Sequence, residues 1–378
     1  MTEKTYETII IGAGIAGLAC AKTLREKNKD FIVISNDIGG RILTSEDKTA
    51  NYGAFFVCSD YNYVLNHVIL KNRIRLRDFC FHEKEKTYVL FQPKLIKYLF
   101  QFLKVLKLLY KFRKRFRKLR KKCLNISQKK AIEQDPFLLD LYNQNAEDFV
   151  KKQKIQKGVE VYLSKALNST TFSKINEMNA FSFLEFLLPL ITPIYRFKFE
   201  KDEMIEKFKD KIIIDQVNNI KYEKNNYKVI TKNKKFNCKN IVLATEIPWS
   251  KRYAGVSKTN KPVETNMLHV KGIPKSILSK KKYHLFSPDS KVQAVADLND
   301  GTFLFYYKNT QPKLEKFFKN PQVIAHKYWN PAGTINGHEL IECNRGNNMY
   351  LIGDYNIAGL EEAYITGLFA ANQIIKKS

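Results

Sequence analysis

Residues 6–41, YETIIIGAGIAGLACAKTLREKNKDFIVISNDIGGR, decide how this chain folds. The apolar run 8–11 reads as a buried parallel strand, and 31–34 as the strand beside it. Between them Gly12, Gly14 and Gly17 form GxGxxG at the turn into a helix. The first glycine permits the turn, the second lets the backbone approach a pyrophosphate, and the third lets the helix lie close on the strand. Free N–H groups at the helix start, around Ile15 and Ala16, favour the anion. The uncharged run 8–21 ends in Ala19-Cys20-Ala21 and imitates a secretory signal with its cleavage site. Glu3 and Glu7 spoil the positive flank of such a signal, and cleavage would orphan the second strand. The nucleotide-binding reading stands.

A second glycine pair with an arginine, Gly39-Gly40-Arg41, follows directly, and Gly53-Ala54 comes next in NYGAFFV. In this order the pieces resemble the FAD-dependent amine oxidase superfamily, which includes monoamine oxidases, phytoene desaturases and protoporphyrinogen oxidases. The resemblance extends downstream. In 212–248, Val217 and Ile220 match the family strand whose backbone meets the adenine, and Ala244-Thr245 ends the family's next strand pattern. In 349–375, Gly353-Asp354 closes a strand, and a helix near Gly359 carries Glu361, Glu362 and Ala363. The resemblance implies FAD as cofactor, with Arg41 against its phosphates and Gly53-Ala54 near the isoalloxazine ring. It places Asp354 on the ribityl–phosphate portion and the last helix's N-terminus at the flavin's pyrimidine edge, where a positive helix end stabilises an anionic reduced ring. The implied fold is α/β: a Rossmann-like FAD-binding domain, its parallel sheet discontinuous in sequence, with an α+β substrate domain.

The departures are specific. Ser35 stands where the family carries an acid for the adenosine ribose, leaving Asn36 or Asp37 to replace that contact. Glu362 occupies a position where glycine is common. The segment RFKFEKDEMIEKF (196–208) replaces a glycine-rich one.

The expected organisation assigns 1–60, 203–250 and 340–378 to FAD binding, and 61–202 and 251–339 to the substrate domain. A short strand is expected at 87–91, and helices at 135–152, 158–167 and 181–188. Strand-like runs at 266–270, 292–298, 302–307 and 323–329, with Asn299-Asp300-Gly301 as a hairpin turn, form the substrate sheet.

With 44% hydrophobic and 13% aromatic residues, the 378-residue chain can bury a large core. It has no run of eighteen apolar residues that would span a membrane. Six cysteines without CxxC spacing fit a reduced, cytoplasmic setting and give no metal site. The net charge of +28 is concentrated: residues 94–122 hold thirteen Lys/Arg and no acid. Lys94, Lys97, Lys104, Lys107 and Lys111 recur at helical spacing opposite Leu95, Leu99, Phe102, Leu106 and Leu109. Such a basic amphipathic helix suits a substrate-domain core or, as a peripheral contact, an anionic membrane surface; its terminal part 113–122 reads as solvated. Nothing else in the chain resembles a nucleic-acid module.

The function so implied is an FAD-dependent oxidoreductase that oxidises an amine or lipophilic small molecule by hydride transfer to the flavin, with oxygen or a quinone as acceptor. Alternatives are a non-redox flavoenzyme (mutase or isomerase) and a non-catalytic, basic membrane- or partner-binding protein on the same fold. Lys271 is the candidate for the family lysine that holds a water at the flavin's reactive nitrogen, and Trp329, in Tyr328-Trp329-Asn330-Pro331, for a pocket wall or a core residue.

Overall fold

The isoleucines of the first strand, Lys4–Gly14, are buried on both sides: Ile9 and Ile10 belong to different apolar clusters. A strand covered on both faces sits inside a sheet, and that is its place in the computed structural model, which describes residues 4–84, 86–90, 93–278 and 281–377. The strand pairs in parallel with Phe31–Gly39 on one side and Lys235–Leu243 on the other. Ile212–Ile214 adds to the far edge in parallel, and Met349–Leu351 pairs with the end of Lys235–Leu243. Val217–Glu223 and Asn226–Thr231 complete the sheet as an antiparallel extension. Chain segments distant in sequence thus meet in one sheet, as the discontinuous reading requires.

A second seven-stranded sheet runs in the order Phe318–Asn336, Lys261–Pro274, Thr302–Tyr307, Val292–Asp297, Tyr283–Phe286, Phe79–Glu83, Lys86–Val89. The hairpin at Asn299-Asp300-Gly301 is present, with Leu298 N–H donating to the Thr302 carbonyl at 3.0 Å. The strand expected at 87–91 is Lys86–Val89; Phe91 lies outside the described residues. A small sheet of Val57–Cys58, Ile194–Phe199 and Val68–Ile74, and the strand Phe79–Glu83, add strands that the sequence did not lead one to expect. Their alternation is weak because Val68–Ile74 exposes most of its residues.

The helix expected at 135–152 is two, Pro136–Asn143 and Ala146–Lys152. Asp135 caps the first and Asn145 the second, each side chain accepting from the amides of the following turn. Those short polar side chains compete with helix continuation and restart it.

The basic segment forms the helix Leu99–Lys122; the side chains of Lys94 and Leu95 lie outside the described residues. Val105, Leu109, Phe112, Phe116 and Leu119 are buried in the largest apolar cluster, so from Val105 onward the helix is a core element. The expectation of a solvated tail at 113–122 holds for Lys114, Arg117, Lys118, Lys121 and Lys122, which are exposed, and is corrected for Arg120. Arg120 is 5% exposed, and Arg113, Arg115 and Arg117 each reach a carboxylate, on Asp60, Asp135 and Asp60. A buried apolar stripe continuing through Phe116 and Leu119 carries those arginines against the body of the protein.

The nucleotide helix Ile15–Glu26 and the final helix Leu360–Lys377 pack together. Their contact admits no side chain at Gly367: a Cβ there would lie 2.2 Å from the Ala16 carbonyl oxygen. Gly367→Ala therefore forces the helices apart and should cost about 1–3 kcal/mol, read as a lower midpoint in thermal or urea unfolding; an unchanged midpoint would show that the contact relaxes freely.

Candidate active site

The glycine turn is locked by backbone. A Cβ on Gly12 would sit 2.5 Å from the Ala244 carbonyl oxygen, and one on Gly17 would sit 2.0 Å from that of Gly12. Gly14 differs: its Cβ would face open space, with nothing within 4 Å. The protein's own packing therefore does not demand glycine there, and the space over Gly14 belongs to a large cavity. That cavity, of about 1600 Å³, exceeds the ~300–1,000 Å³ typical of a single small-ligand pocket. It runs from the turn Gly12–Ile15 to the second sheet at Tyr283 and Tyr306.

The second glycine pair and the Gly53-Ala54 pair clasp each other. The Ala54 N–H donates to the Arg41 carbonyl at 3.0 Å, and a Cβ on Gly53 would stand 2.0 Å from that same oxygen. Behind Gly53 lies the Trp329 indole, whose Nε1 donates to the Tyr52 carbonyl at 3.1 Å. Trp329 is thus both core and cavity wall.

Arg41 and Asp354 form a bidentate pair, Nη1 to Oδ2 at 2.7 Å and Nη2 to Oδ1 at 2.5 Å. Burial alone would favour the neutral forms, but each partner outweighs it, raising the arginine's pKa and lowering the aspartate's. Arg41 still keeps 38% of its side chain exposed, at the cavity, so its charge is available to a phosphate.

Of the sequence-derived positions, Gly12, Gly14, Ile15, Ala16, Ser35, Asn36, Gly39, Gly40, Arg41, Gly53, Ala54, Val217, Ala244, Thr245, Gly353, Asp354 and Ala363 all line this one cavity. Gly17 does not; its role is the helix–turn contact. Glu361 and Lys271 require correction. Glu361 is fully buried away from the cavity, accepting the amides of Asn62, Tyr63 and Val64 at 2.6, 3.0 and 3.0 Å. Lys271 is exposed and does not line the cavity: it shares a strand face with Met267 and His269 but lies further along the strand, opposite Thr302, past the residues packed at the cavity side. The lysine that does line it is Lys327, with its ammonium 5.3 Å from the Trp329 ring centroid. His269 is structural, held between Tyr52 and Thr302.

Three further residues, Asp215, Arg120 and Glu185, escaped the sequence reading. Asp215 follows the edge strand, and its N–H donates to the Ser35 carbonyl at 3.0 Å, which puts an acid beside the position where Ser35 lacks one. Burial opposes its ionisation, but hydrogen bonds from Thr231, the Gln216 amide and Asn233 prevail and hold the carboxyl below its usual range. Arg120, Glu362 and Glu185 form a buried group at the cavity wall. Arg120 Nε and Nη2 both lie 2.7 Å from Glu362 Oε1, and the guanidinium stacks 4.5 Å over Phe116. Glu185, on the helix Ala180–Phe186, has Oε2 buried without a partner. Burial first, and the Glu362 charge second, push the Glu185 carboxyl well above the carboxylate range. A neutral carboxylic acid at a cavity wall can donate a hydrogen bond to a bound molecule. The sequence signal for Arg120 was its spacing from Val105, Leu109, Phe112 and Phe116; Glu185 stood alone in an apolar run, FSFLEFLL.

With the geometry in place, comparison with known proteins is direct. Residues 10–69 match the model of an NAD(P)-binding Rossmann-like domain. No curated protein matches the chain by sequence. Among solved structures, putrescine oxidase bound to putrescine is similar at a TM-score of 0.67 and 12% identity, covering 98% of this chain and 99% of that one. Cyclohexylamine oxidase from Brevibacterium oxydans IH-35A gives 0.66 and 14%, over 98% and 99%. A CLA-producing fatty acid isomerase from P. acnes gives 0.69 and 13%, over 98% of both chains. The chain shares the fold of these solved structures over nearly its whole length. Sequence identity this low speaks to the fold, so the chemistry must be argued from the residues.

The neutral state of Glu185 has a measurable consequence. A carboxyl whose folded pKa lies above its unfolded value makes the native state the better proton binder, so stability falls as pH rises above the unfolded value. Glu185→Gln removes that dependence. Between about pH 5 and pH 8 the wild type should lose more stability than Glu185→Gln, and equal slopes in denaturant titrations would mean that Glu185 is ionised in the fold.

Proposed function

We propose that the protein is an FAD-dependent oxidoreductase acting on a lipophilic or amine-bearing small molecule. The observation that carries this reading is the single cavity joining the open space over Gly14, the Arg41–Asp354 pair and an aromatic chamber of the second sheet. FAD fits the first part. The pyrophosphate would lie over Gly14 at the start of Ile15–Glu26, with Arg41 reaching its charge and Asp215 or Asp37 near the ribose. The flavin would supply the redox chemistry, accepting hydride from the substrate and passing electrons to oxygen or a quinone. The protein's part is orientation: Trp329 and Tyr52 wall one side, while Phe55, Phe79 and Phe172 surround Tyr283 and Tyr306 on the other. Such an apolar chamber excludes water and favours a lipophilic substrate.

An absorption spectrum of the purified protein, followed by heat release, tests the cofactor; a protein that stays colourless after incubation with FAD sinks the reading. Arg41→Ala leaves Asp354 without its partner and takes a charge-assisted contact from the phosphates. FAD affinity should fall about 10- to 100-fold, measured by flavin fluorescence quenching.

A second reading is favoured by the isomerase neighbour and by the neutral acid Glu185: substrate rearrangement with no net electron transfer. Turnover without oxygen or quinone consumption would select it.

We also propose that the basic helix brings the protein to an anionic membrane surface. Ile96, Leu99, Phe100 and Leu103 are exposed, Phe100 at 86%, and Leu106 and Tyr110 continue the same helix into the cavity wall. Lys97, Lys104, Lys107 and Lys111 flank that stripe. Among the described residues no helix is long and apolar enough to cross a membrane, so the contact would be peripheral. Phe100→Ser with Leu103→Ser removes exposed apolar surface and should weaken binding to anionic vesicles about tenfold or more with flavin binding retained; unchanged sedimentation with vesicles would exclude this stripe.

A further inference from the structure

The second sheet has another face, turned away from the cavity. On Phe79–Glu83 the odd residues Phe79 and Phe81 line the cavity, so Cys80 and His82 project to the opposite side. The neighbouring parallel strand Tyr283–Phe286 behaves alike: Tyr283 and Leu285 line the cavity, and His284 stands opposite Cys80 in register. One donor atom from each of Cys80, His82 and His284 lies within 4.8 Å of the other two, and all three residues are buried. Two alternate positions on one strand plus the facing position of the next bring three donors together on one sheet face. The sequence concealed this, since His82 and His284 are 202 positions apart.

The hydrogen bonds around the trio are already those of a ligand set. His284 Nε2 lies 2.9 Å from the Lys281 carbonyl, which can only accept, so the proton is on Nε2 and Nδ1 presents a lone pair inward. That lone pair faces His82 Nε2 at 2.9 Å, which must therefore carry a proton. His82 Nδ1 lies 3.3 Å from Thr87 Oγ1, a group that can donate or accept. A metal-ligating imidazole needs its other nitrogen fixed by such a partner, and both rings have one. Phe286 stacks on His82 at 4.3 Å and closes the apolar side.

We propose that Cys80, His82 and His284 form a three-coordinate site for a soft monovalent d10 cation, Cu(I). Thiolate and imidazole donors select soft or borderline metals. Charge then discriminates: one thiolate and two neutral imidazoles make a neutral centre with Cu(I), but leave a buried net positive charge with Zn(II). Loading is balanced. The Cys80 thiol gives its proton to solvent. The His82 proton shifts from Nε2 to Nδ1, where Thr87 Oγ1 accepts, freeing Nε2 for the metal. One proton is released per cation, and no electron moves. Thr87 is exposed on the edge strand Lys86–Val89, the side of the trio nearest solvent along the sheet order.

The full chain, reduced under anaerobic conditions, is titrated with Cu(I) against a chromophoric chelator. One equivalent should bind, with affinity at least 100-fold weaker in Cys80→Ser and His284→Ala and unaltered in Cys123→Ser, which removes a buried thiol elsewhere. Thr87→Val, on the exposed edge, should weaken binding about tenfold. X-ray absorption of the loaded wild type should show one sulfur and two nitrogen donors, a result that decides the matter even where a variant fails to fold. Binding that survives in both ligand variants, other donors in the absorption spectrum, or Zn(II) held at this site in preference to Cu(I) would overturn the assignment. Flavin content is measured on the same samples, so loss of the oxidoreductase reading leaves this result standing.

Discussion

Two adjacent carboxylates in the first turn of Leu360–Lys377 organise the molecule. Glu361 is fully buried and Glu362 is 2% exposed, and a buried carboxylate without partners is costly by several kcal/mol. Each is compensated by a different segment. Glu361 gathers three consecutive amides at 62–64, and Glu362 takes the guanidinium of Arg120 from the basic helix. Just before the same turn Asp354 takes Arg41 from the second glycine pair. Three remote stretches of chain are thus positioned by one helix start, and the cavity is the space they enclose.

That arrangement also sets the electrostatics of the proposed flavin end. A helix N-terminus favours negative charge, and two glutamates aimed along its axis would offset it. Glu361 instead turns to backbone amides away from the cavity, and Glu362, at the cavity wall, is compensated by Arg120. Asp60 adds a further carboxylate 3.7 Å from Arg120. Burial, reinforced by the Glu362 charge, outweighs the attraction of Arg120, which Glu362 and Asp60 already engage, and keeps Glu185 protonated. The cavity wall therefore carries two unlike environments: a cationic turn at Gly14 and Arg41, and a neutral, proton-bearing group at Glu185.

The nucleotide-binding half was legible because its constraints are local. GxGxxG, GGR and the closing Gly-Asp fix backbone conformation within a few residues, and all but Gly17 and Glu361 of the positions so named reach the cavity. Reading failed where side-chain direction depends on distant packing. Lys271 and Lys327 sit on neighbouring strands, Lys261–Pro274 and Phe318–Asn336, and only strand pairing decides which lines the cavity. Glu361 and Glu362 differ by one position, about 100° around a helix, and exchange roles. Arg120 is one of thirteen basic residues in its segment, distinguished only by lying on the buried stripe.

The basic helix shows why a single composition reading was insufficient. Its 24 residues carry three environments in succession: exposed apolar side chains near Phe100, cavity and core contacts from Val105 to Phe116, and a buried ion pair at Arg120. Deleting its charge as a block would confuse these roles, since Lys104 and Lys107 face solvent while Arg120 holds Glu362 in place. The last of these is structural by necessity: without Arg120, Glu362 would be a buried carboxylate beside Glu361, and either it takes a proton or the helix start moves. Because one continuous helix links Phe100 to Arg120, the exposed apolar stripe, the wall at Leu106 and Tyr110, and the proposed flavin end are held in fixed order. A lipophilic molecule meeting that stripe would reach the aromatic chamber before it reached the charged turn, which is the order a substrate must take when the cofactor lies deepest.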